Sequence, residues 1–426
     1  MPDQYAPVSL RGRLGAALYR GLSVAGGALL RPVAVLGKDD LAERLALTPP
    51  DGADQENVPA QPVWLHGASV GELNSARLLV DALAREWPLY LTANSLTGRA
   101  AARGWGQRAS LAPLDVPAAI TRFLAQVRPL VSVTVENEIW PNRARILDRQ
   151  GIPRVIVGAR MSVRSAERWA KMPALIGPVL GGISVLSAQD GATEERLLRL
   201  GLPEAALTGK LNLKLLAPAR IVARPSGPLR DVTILAASTH EGEEAVVLDA
   251  YLSARVAHPD LRLILAPRHP ERGNEVAALI AARGLSFARR TQGAGPGDHP
   301  VFLADTLGEM ARWYDAAAVC VTGGSFTDRG GHTPWEPAAH LCATLHGPHV
   351  ANFADDYGAL DQAEASLAVS AETLGAALDA LAGDRARVAR MGEAAHALLH
   401  HRAGNPDPLL ARIADLALQR TCTSAR

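Results

Sequence analysis

The sequence predicts an α/β protein made of two Rossmann-like domains that face a central cleft. Segments typical of strands alternate with segments typical of helices through both halves of the chain, a pattern that indicates parallel sheets covered by helices on both faces. A stretch rich in Pro, Ala and Arg at residues 217–228 separates the halves. The length of 426 residues also exceeds what a single hydrophobic core usually supports.

These observations divide the chain into five predicted segments. They are an N-terminal helix at 1–35, a Rossmann-like domain at 36–215, a linker at 216–229, a second Rossmann-like domain at 230–383 and a helical tail at 384–426. Residues 40–62 carry four prolines and read as a polar linker inside the first domain.

Strands are predicted wherever a short apolar run ends at polar or glycine residues. In the first half they are Val63–Gly67, Leu89–Thr92, Ala109–Pro113, Leu130–Val135, Arg154–Val157 and Ile183–Leu186, and in the second half Val232–Ala237, Leu261–Leu265, Val301–Leu303, Ala317–Val321 and Ala343–Leu345. The main helices of the first half are predicted at Gly71–Arg85, Pro117–Gln126, Ala192–Gly201 and onward from Pro141. Ligands of such sheets bind at the carboxyl ends of the strands, so the motifs that follow strands are the candidate site residues.

Composition argues against several functional classes. A net charge of +1 gives no basic field for nucleic acid. Cys320, Cys342 and Cys422 have unrelated spacings, which provide neither a disulfide framework nor a metal motif and suit a reducing compartment.

The N-terminal segment has two open interpretations. Residues 8–32 contain four arginines and no acid, and their longest apolar run is interrupted by Arg20 and ended by Arg31. The run is too short for a membrane-spanning helix, and its flanks do not fit a cleaved signal peptide. It suits a helix lying on an anionic membrane surface, or equally a helix packed on the first domain.

The stretch Gly323–Pro337 combines two glycine pairs with a predicted helix start. Gly323-Gly324 and Gly330-Gly331 allow close backbone approach. Thr333 is expected as the N-cap, followed by Pro334 and then by Glu336 three residues after the cap. The free N–H groups of such a helix would bind an anion, although many βαβ units contain similar turns without a ligand.

Ser69-Val-Gly-Glu72 follows the first strand and has the spacing of a capping box. By spacing alone, the capping role of Glu72 is favoured. The alternative is that Glu72 acts as a general base, since a carboxylate in a cleft can take a proton from a sugar hydroxyl.

Two further groups of charged residues occur in the first half. Glu136 and Glu138 follow a strand and would project to one face if the chain stayed extended, which makes either a ligand platform with Trp140 or a solvated turn. Arg160, Arg164, Arg168 and Lys171 are opposed only by Glu167, so they form a solvated face or a site for an anionic substrate.

In the second half, Ser238–Glu241 is a possible capping box and Arg268 follows the next strand. An arginine can bind a phosphate through two parallel bonds, with about 1.5–3 kcal/mol for a charge-assisted contact against about 0.3–1 kcal/mol from a helix terminus. The sequence has no P-loop, no G-x-G-x-x-G after the first strand, no H-E-x-x-H and no D-x-D. We therefore expect no metal and no dinucleotide cofactor.

Taken together, these motifs resemble the 3-deoxy-D-manno-octulosonic acid (Kdo) transferases of lipopolysaccharide assembly. The matching words, in family order, are His66–Glu72, Glu136–Asn142, Ala159–Ser162 with Arg164-Ser165, Ala237–Glu243, Pro267–Arg272, Asp305–Glu309 and Gly323–Ser325 through Glu336-Pro337. Each word alone is weak, but the set is specific.

The resemblance implies a GT-B glycosyltransferase that inverts the anomeric carbon of a CMP-Kdo donor. Its acceptor would be the phosphorylated lipid A precursor at the cytoplasmic face of the bacterial inner membrane, bound by the first domain, while the second binds the CMP-sugar. It also implies that Glu72 is the catalytic base, which reverses the local preference for the cap.

The resemblance further implies the donor site. The CMP contacts fall on Pro267, Arg268, Gly308, Glu309, Met310, Thr333, Pro334, Trp335 and Glu336, with Glu336 on the ribose. Additional cleft residues are expected at Ser69, Gly71, Glu136, Glu138, Arg160, His269, Gly324, Ser325 and His332. No metal is implied.

The sequence departs from the family pattern at two words. The usual H-N-P-L-E reads His332-Thr-Pro-Trp-Glu336, and Asn212 stands where the family has lysine, with Lys210 and Lys214 nearby. Threonine keeps an N-cap hydroxyl but loses the amide donor. Three other hypotheses stay open: a GT-B enzyme with another donor or acceptor, a non-catalytic CMP-sugar-binding paralogue, and a peripheral membrane protein that acts mainly through its N-terminal helix.

Overall fold

The computed structural model describes residues 10–36, 39–49, 61–136, 138–225, 229–297 and 299–424. Several predicted features fall wholly or partly outside this description: residues 1–9 of the N-terminal helix, the side chains of Arg11 and Arg13, residues 50–60 of the polar linker, residues 226–228 of the second linker, and Asn137.

The chain divides into two compact units, Met1–Ala217 together with Ala403–Arg426, and Pro218–Arg402. The segment predicted as a tail at 384–426 contributes to both. Its first helix lies almost entirely in the second unit, and its last helix belongs to the first.

In the described part of the first unit, the sheet has six strands in the order β3-β2-β1-β4-β5-β6. They are β1 Val63–His66, β2 Leu89–Ala93, β3 Arg108–Leu111, β4 Val131–Val135, β5 Arg154–Ala159 and β6 Ile183–Ala188. All neighbouring strands pair in parallel, as predicted. The chain moves outward from β1 to β3 and then returns to β4, so the strand order reverses between β1 and β4, where ligands bind in sheets of this type.

Helices cover both faces of this sheet. Up to residue 219 they are α1 Leu10–Val35, α2 Asp39–Arg44, α3 Val70–Ser75, α4 Arg77–Leu83, α5 Leu96–Gly104, α6 Pro117–Val127, α7 Pro141–Arg149, α8 Val163–Ala170, α9 Pro173–Gly181, α10 Gly191–Arg199 and α11 Leu213–Ala219. The prediction of one continuous helix at Gly71–Arg85 is wrong in one respect. Ala76, with φ −85° and ψ 0°, separates it into α3 and α4.

Burial on both faces explains the apolar strands. Every residue of β1, β2 and β5 is buried. On one face Trp64, Tyr90 and Phe123 form an aromatic cluster. Complete burial of a large apolar side chain contributes about 1.5–3 kcal/mol, so this cluster stabilises the sheet on which β1 and its following loop depend.

The second unit contains a seven-stranded parallel sheet in its described residues, in the order β13-β12-β11-β7-β8-β10-β9. The strands are β7 Thr233–Thr239, β8 Arg262–Pro267, β9 Phe287–Arg289, β10 Val301–Leu303, β11 Val319–Thr322, β12 Ala343–His346 and β13 Ser366–Ala368. The edge strands β9 and β13 were not predicted, since neither is a continuous run of large apolar residues. The order reverses between β7 and β11.

The remaining helices are α12 Glu243–Arg255, α13 Gly273–Ala282, α14 Met310–Asp315, α15 Trp335–Ala339, α16 Ala354–Gln362, α17 Leu374–Gly383, α18 Arg385–Ala403 and α19 Asp407–Ser424. Among the helices that pack on the second sheet, α12 buries Val247, Leu248 and Tyr251 against it.

Helix α1 packs on the first unit along one face and is exposed along the other. Its Gly27 lies so close to Val116 that a Cβ would come within 2.3 Å of that side chain, and Ala34 is buried. On the opposite side, Leu18, Leu22 and Leu29 are 64%, 65% and 76% exposed at helical spacing. Within the described residues, no helix combines the length and the apolar composition that crossing a bilayer requires.

Candidate functional site

The first unit brings three carboxylates into mutual electrostatic range beyond β1 and β4. Glu72 lies in the first turn of α3, and Glu136 and Glu138 follow β4. Burial is the main cause that raises the pKa of Glu72, and the charges of Glu136 and Glu138 add to this rise. This is the point of strand reversal, so the candidate site lies where the topology predicts one.

The capping box predicted at Ser69–Glu72 forms only in part: Ser69 is the N-cap, but the Glu72 carboxylate binds the N–H of Ala68 and not that of Ser69. Ser69 Oγ accepts the Glu72 N–H at 3.2 Å, and Glu72 Oε2 accepts the Ala68 N–H at 2.7 Å. The Ser69 hydroxyl also acts on the carboxylate and lowers its pKa, and no further donor among the described residues binds Oε1. Burial raises the pKa of Glu72; the Ala68 N–H opposes this rise and the two neighbouring carboxylates add to it. The cap and the proton-accepting role are therefore compatible.

Glu138 is held by three donors. Its Oε2 accepts from His66 Nε2 at 3.4 Å, from Asn94 Nδ2 at 3.2 Å and from the Trp140 indole N–H. Burial alone raises the pKa of Glu138, but these bonds outweigh it and lower the pKa to about 2. Glu138 is thus an ionised anchor, whereas Glu72 is the carboxylate tuned to accept a proton.

His66 is fully buried and its ring is oriented by a chain of hydrogen bonds. Trp64 Nε1 donates to Thr92 Oγ1 at 2.8 Å, and Thr92 Oγ1 lies 2.9 Å from His66 Nδ1. His66 Nδ1 also lies 3.2 Å from the Thr92 carbonyl oxygen, which can only accept. With its proton on Nδ1 the ring donates to Thr92; with its proton on Nε2 it accepts from the Thr92 hydroxyl and donates to Glu138. Burial, reinforced by Arg143, lowers the pKa of His66 to about 4, so the ring is neutral near pH 7.

The predicted extended geometry of the acidic pair is wrong. β4 ends at Val135, and Glu136 adopts φ 55°, a left-handed conformation that costs free energy for a residue other than glycine. The chain turns at this residue, so Glu138 is directed to His66 and Asn94 instead of sharing a face with Glu136.

The four basic residues that the sequence groups at positions 160–171 are exposed. Arg160 follows β5, and Arg164, Arg168 and Lys171 lie on or just after α8. Gly71 is exposed in the first turn of α3. Their roles toward a ligand stay predictions.

In the second unit, the glycine-rich loop after β11 is held by Glu243. This carboxylate is 1% exposed and accepts the N–H groups of His240 at 2.9 Å, Gly324 at 2.7 Å and Phe326 at 2.8 Å. The predicted capping box at Ser238–Glu241 is wrong: the N-cap of α12 is Gly242, which makes no side-chain cap bond, and Glu243 holds the preceding turn through the His240 N–H. Two N–H groups of the loop are already bonded and are not free for an anion.

The predicted helix start is displaced by one residue, since the N-cap is Pro334 and not Thr333, and helix α15 begins at Trp335. Thr333 Oγ1 still accepts the Trp335 N–H at 3.3 Å. The carboxylate of Glu336 is not engaged in a cap; it accepts from the Tyr314 hydroxyl at 3.2 Å and is exposed.

Several residues expected to contact the donor are used internally. Ser325 is fully buried, with its hydroxyl donating to Thr322 O and accepting the Gly347 N–H. Pro334 and Trp335 are buried, so their side chains are unavailable to a ligand.

Glu309 is also engaged within the second unit. Arg290 donates to its carboxylate at 2.7 and 2.8 Å, and Thr306 donates at 2.5 Å. The bonds from Arg290 and then Thr306 lower the pKa of Glu309 to about 2. This leaves the exposed Gly308 and the half-buried Met310 as the accessible part of that turn.

Histidines converge where the order of the second sheet reverses. Nε2 of His240, after β7, lies 3.0 Å from Nε2 of His332, after β11, and the rings stack at 5.2 Å. His269 meets His240 edge-on at 5.8 Å, beside the exposed Arg268. Burial lowers the pKa of both His240 and His332, and Arg268 contributes to each shift. The pair therefore shares one N–H···N bond with neutral rings near pH 7.

Sequence reasoning missed the supporting residues His66, Asn94, His240 and Glu243 as parts of the site. Three of them stand inside words that were recognised, and Asn94 follows β2 directly. A polar residue at a strand end was the available signal. Among the described residues, no group of three or more His, Cys, Asp or Glu side chains is arranged to hold a metal ion.

Comparison with known proteins identifies the family. Residues 39–217 match the sequence profile described as 3-Deoxy-D-manno-octulosonic-acid transferase (kdotransferase). The 3-deoxy-D-manno-octulosonic acid transferase of Bordetella pertussis is 38% identical over 365 residues, which cover 81% of this chain and 85% of that protein. The chain belongs to the Kdo transferase family. It is a glycosyltransferase, as the resemblance implied.

A second Kdo transferase supports this assignment, and one solved domain of the family is similar over part of the chain. The enzyme of Haemophilus influenzae is 33% identical over 83% of this chain and 86% of its own length. The C-terminal CMP-Kdo binding domain of WaaA from Acinetobacter baumannii is 30% identical and covers 41% of this chain and 91% of that domain, with a TM-score of 0.39.

The fold itself is matched by a UDP-GlcNAc 2-epimerase from Neisseria meningitidis, solved with UDP-GlcNAc. Its TM-score is 0.51 at 11% identity, over 84% of this chain and 99% of that one. At this identity the likeness concerns the fold alone. The two Rossmann-like units of the Kdo transferase have the predicted GT-B class of fold.

Proposed function

We propose that this Kdo transferase moves Kdo from CMP-Kdo to a phosphorylated lipid A precursor, with inversion at the anomeric carbon. The family supports glycosyl transfer, and the matching words support this donor and acceptor. Glu72 is the proposed catalytic base.

The environment of Glu72 is the observation that carries the proposal. One oxygen is fixed by the Ala68 N–H, and beyond the Ser69 hydroxyl no further donor within the described residues binds the carboxylate. Its raised pKa makes it a better proton acceptor than Glu138, whose pKa is lowered to about 2. A general base must combine position with proton affinity, and Glu72 has both.

The proposed reaction is a direct displacement. Glu72 Oε1 takes the proton of the acceptor hydroxyl as that oxygen forms a bond to the anomeric carbon of Kdo. The bond from this carbon to the phosphate oxygen breaks, and its electron pair leaves with CMP. One substitution at carbon inverts its configuration, and no metal is required by this scheme.

The donor residues we propose are Arg268, His269, the His240–His332 pair, Thr333 and Glu336. Arg268 is exposed, and Glu336 has a single hydrogen bond within the described part of the chain, from Tyr314, so both can turn toward a nucleotide. Arg268 would stabilise the leaving phosphate through charge-assisted bonds. Glu336 would accept from ribose hydroxyls.

Glu72→Gln tests the base directly. Glutamine retains the size and the Ala68 contact but cannot take a proton, so we expect transfer to fall about 10²–10⁴-fold. CMP affinity and thermal midpoint should be unchanged. The product is measured by mass spectrometry after incubation with CMP-Kdo and lipid A precursor, and the exposed Glu86→Gln is the matched control. Near-normal turnover of Glu72→Gln would exclude Glu72 as the base.

We also propose that the protein works at the cytoplasmic face of the inner membrane as a peripheral protein. The exposed stripe of Leu18, Leu22 and Leu29 on α1, together with Arg20 and Arg31, supports this proposal. Apolar side chains flanked by arginines bind the interface of an anionic bilayer.

A further inference from the structure

A cavity of about 430 Å³ lies between α1, α7 and α9 of the first unit. This volume is in the range of ligand pockets, about 300–1,000 Å³. Its wall is mainly apolar and includes Ala16, Tyr19 and Arg20 of α1, Ala144 and Arg145 of α7, and Leu175 of α9.

Two arginines, Arg20 and Arg145, line the cavity. Arg145 Nε is buried and has no hydrogen-bond partner, an arrangement that is costly unless a ligand or water satisfies it. Neither Arg20 nor Arg149, which lies four residues after Arg145, forms an ion pair with an acid among the described residues. Asp148 is the acid on the wall, but it is bonded to Arg154 at 2.7 and 3.2 Å.

The arginines also repel one another. Burial lowers the pKa of Arg145, and the charges of Arg149 and Arg20 lower it further. An anion placed among them would relieve this repulsion. A mainly apolar wall that also carries arginines without an ion pair among the described residues is complementary to an amphiphile with a negative head group.

Hydrogen bonds link the wall of this cavity to the acidic cluster. Tyr19 donates to Asp115 Oδ2 at 2.8 Å, and Asp115 accepts the backbone N–H groups of Asn142 at 3.0 Å and Arg143 at 2.8 Å. These residues form the first turn of α7, directly after Trp140, which donates to Glu138. A lipid held in the cavity would thus lie behind the turn that supports the acidic cluster.

We propose that this cavity binds one acyl chain of the lipid acceptor, with an acceptor phosphate against Arg20 and Arg145. This assignment rests on the proposed function for the identity of the acceptor. It adds a subsite that binds the acyl chain and that is separate from the residues proposed to act on the sugar.

The first test measures binding without transfer. Dodecyl phosphate is titrated into the full-length protein by calorimetry, below its micelle concentration, beside inorganic phosphate. Ala16→Phe fills the cavity, and Ala17→Phe adds the same ring on the exposed side of α1. We expect Ala16→Phe to weaken dodecyl phosphate at least about tenfold, equivalent to about two lost methylene burials, and Ala17→Phe to leave it unchanged.

Charge recognition is tested with Arg145→Gln, which should weaken dodecyl phosphate but not dodecanol. Equal affinity of the wild type for dodecyl phosphate and inorganic phosphate would overturn the acyl-chain subsite, as would equal effects of Ala16→Phe and Ala17→Phe. If Ala16→Phe lowers the thermal midpoint, Ala174→Phe fills the same cavity from α9.

The second test separates this subsite from the proposed transfer. With an acylated acceptor, Ala16→Phe should raise KM at least about tenfold with little change in kcat. With the deacylated, phosphorylated sugar acceptor, KM should equal that of the wild type. Equal KM increases on both acceptors would overturn the subsite. If the wild type transfers to neither acceptor, the proposed function fails, and the dodecyl phosphate titration still decides the subsite.

Discussion

At the scale of single residues, the carboxylates Glu72 and Glu138 of the acidic cluster differ in pKa because their burial and hydrogen bonds differ. Glu138 receives three side-chain donors and stays ionised, whereas Glu72 receives one backbone N–H and is raised in pKa by burial. The neutral His66 contributes to this division in the tautomer with its proton on Nε2, because that N–H donates to Glu138. Its burial gives the protein a measurable pH dependence.

The acid sensitivity of stability should decrease in His66→Gln. The pKa of His66 is about 4 in the folded protein against about 6.5 in an unfolded chain, so the unfolded chain binds the proton first. Stability present above about pH 6.5 is lost as the pH falls toward 4, on the order of 2–3 kcal/mol. Glutamine keeps a donor for Glu138 but does not titrate.

Urea unfolding at roughly pH 7 and pH 4.5 measures this difference. The midpoint should fall less in His66→Gln than in the wild type, and the exposed His299→Gln should behave as the wild type. Parallel pH profiles for all three proteins would contradict a neutral, buried His66.

At the scale of elements, one carboxylate at the start of α12 organises the loop after β11. Glu243 satisfies three backbone N–H groups, two of which belong to the loop. Gly323, at the start of this loop, packs so closely on the end of β7 that a Cβ at this position would lie 2.2 Å from Ser238 O. The loop is therefore pre-shaped by α12 and β7, and it positions His332 against His240.

Glu243→Ala should destabilise the second unit and weaken nucleotide binding. Three N–H groups would lose their acceptor in a buried position, with an expected loss of roughly 2–5 kcal/mol. Thermal unfolding with and without CMP measures both effects. Glu241→Ala, in the same turn but exposed, should stay within about 0.5 kcal/mol of the wild type. Matching effects of the two substitutions would refute the specific role of Glu243.

At the scale of the whole molecule, the net charge of +1 provides no general attraction to an anionic membrane. Membrane association must therefore come from a local surface. The exposed stripe on α1 is such a surface, since its opposite face is already used for packing at Gly27 and Ala34.

Replacing Leu18, Leu22 and Leu29 together by Ser should abolish most binding to anionic vesicles. Each leucine is largely exposed, so the thermal midpoint should change little, while each lost insertion removes about 1.5–3 kcal/mol at most. Flotation with phosphatidylglycerol vesicles measures the bound fraction. The charge-neutral control is Leu418→Ser on α19, which is also exposed. Undiminished flotation of the triple variant would exclude the stripe as the membrane contact.

The sequence by itself determined the alternation of strands and helices, the positions of most strands, and the Ser69 N-cap. All of these depend on local periodicity or on residues three positions apart. It also indicated the family through the order of its short words. The edge strands β9 and β13 were missed because, unlike the equally short β10, they are not continuous runs of large apolar residues. The break at Ala76 was missed because a single non-helical residue leaves almost no pattern.

Only the tertiary structure decided which of the marked residues act together. Glu138 meets His66 and Asn94 across 72 and 44 residues, and His240 meets His332 across 92. These pairs form because parallel strands distant in sequence lie side by side where the strand order reverses, between β1 and β4 and between β7 and β11. Glu243 likewise binds a loop about eighty residues away, which local spacing does not encode. The order of the strands in the folded chain therefore determines which side chains lie next to these carboxylates and histidines, and these neighbours shift their pKa values.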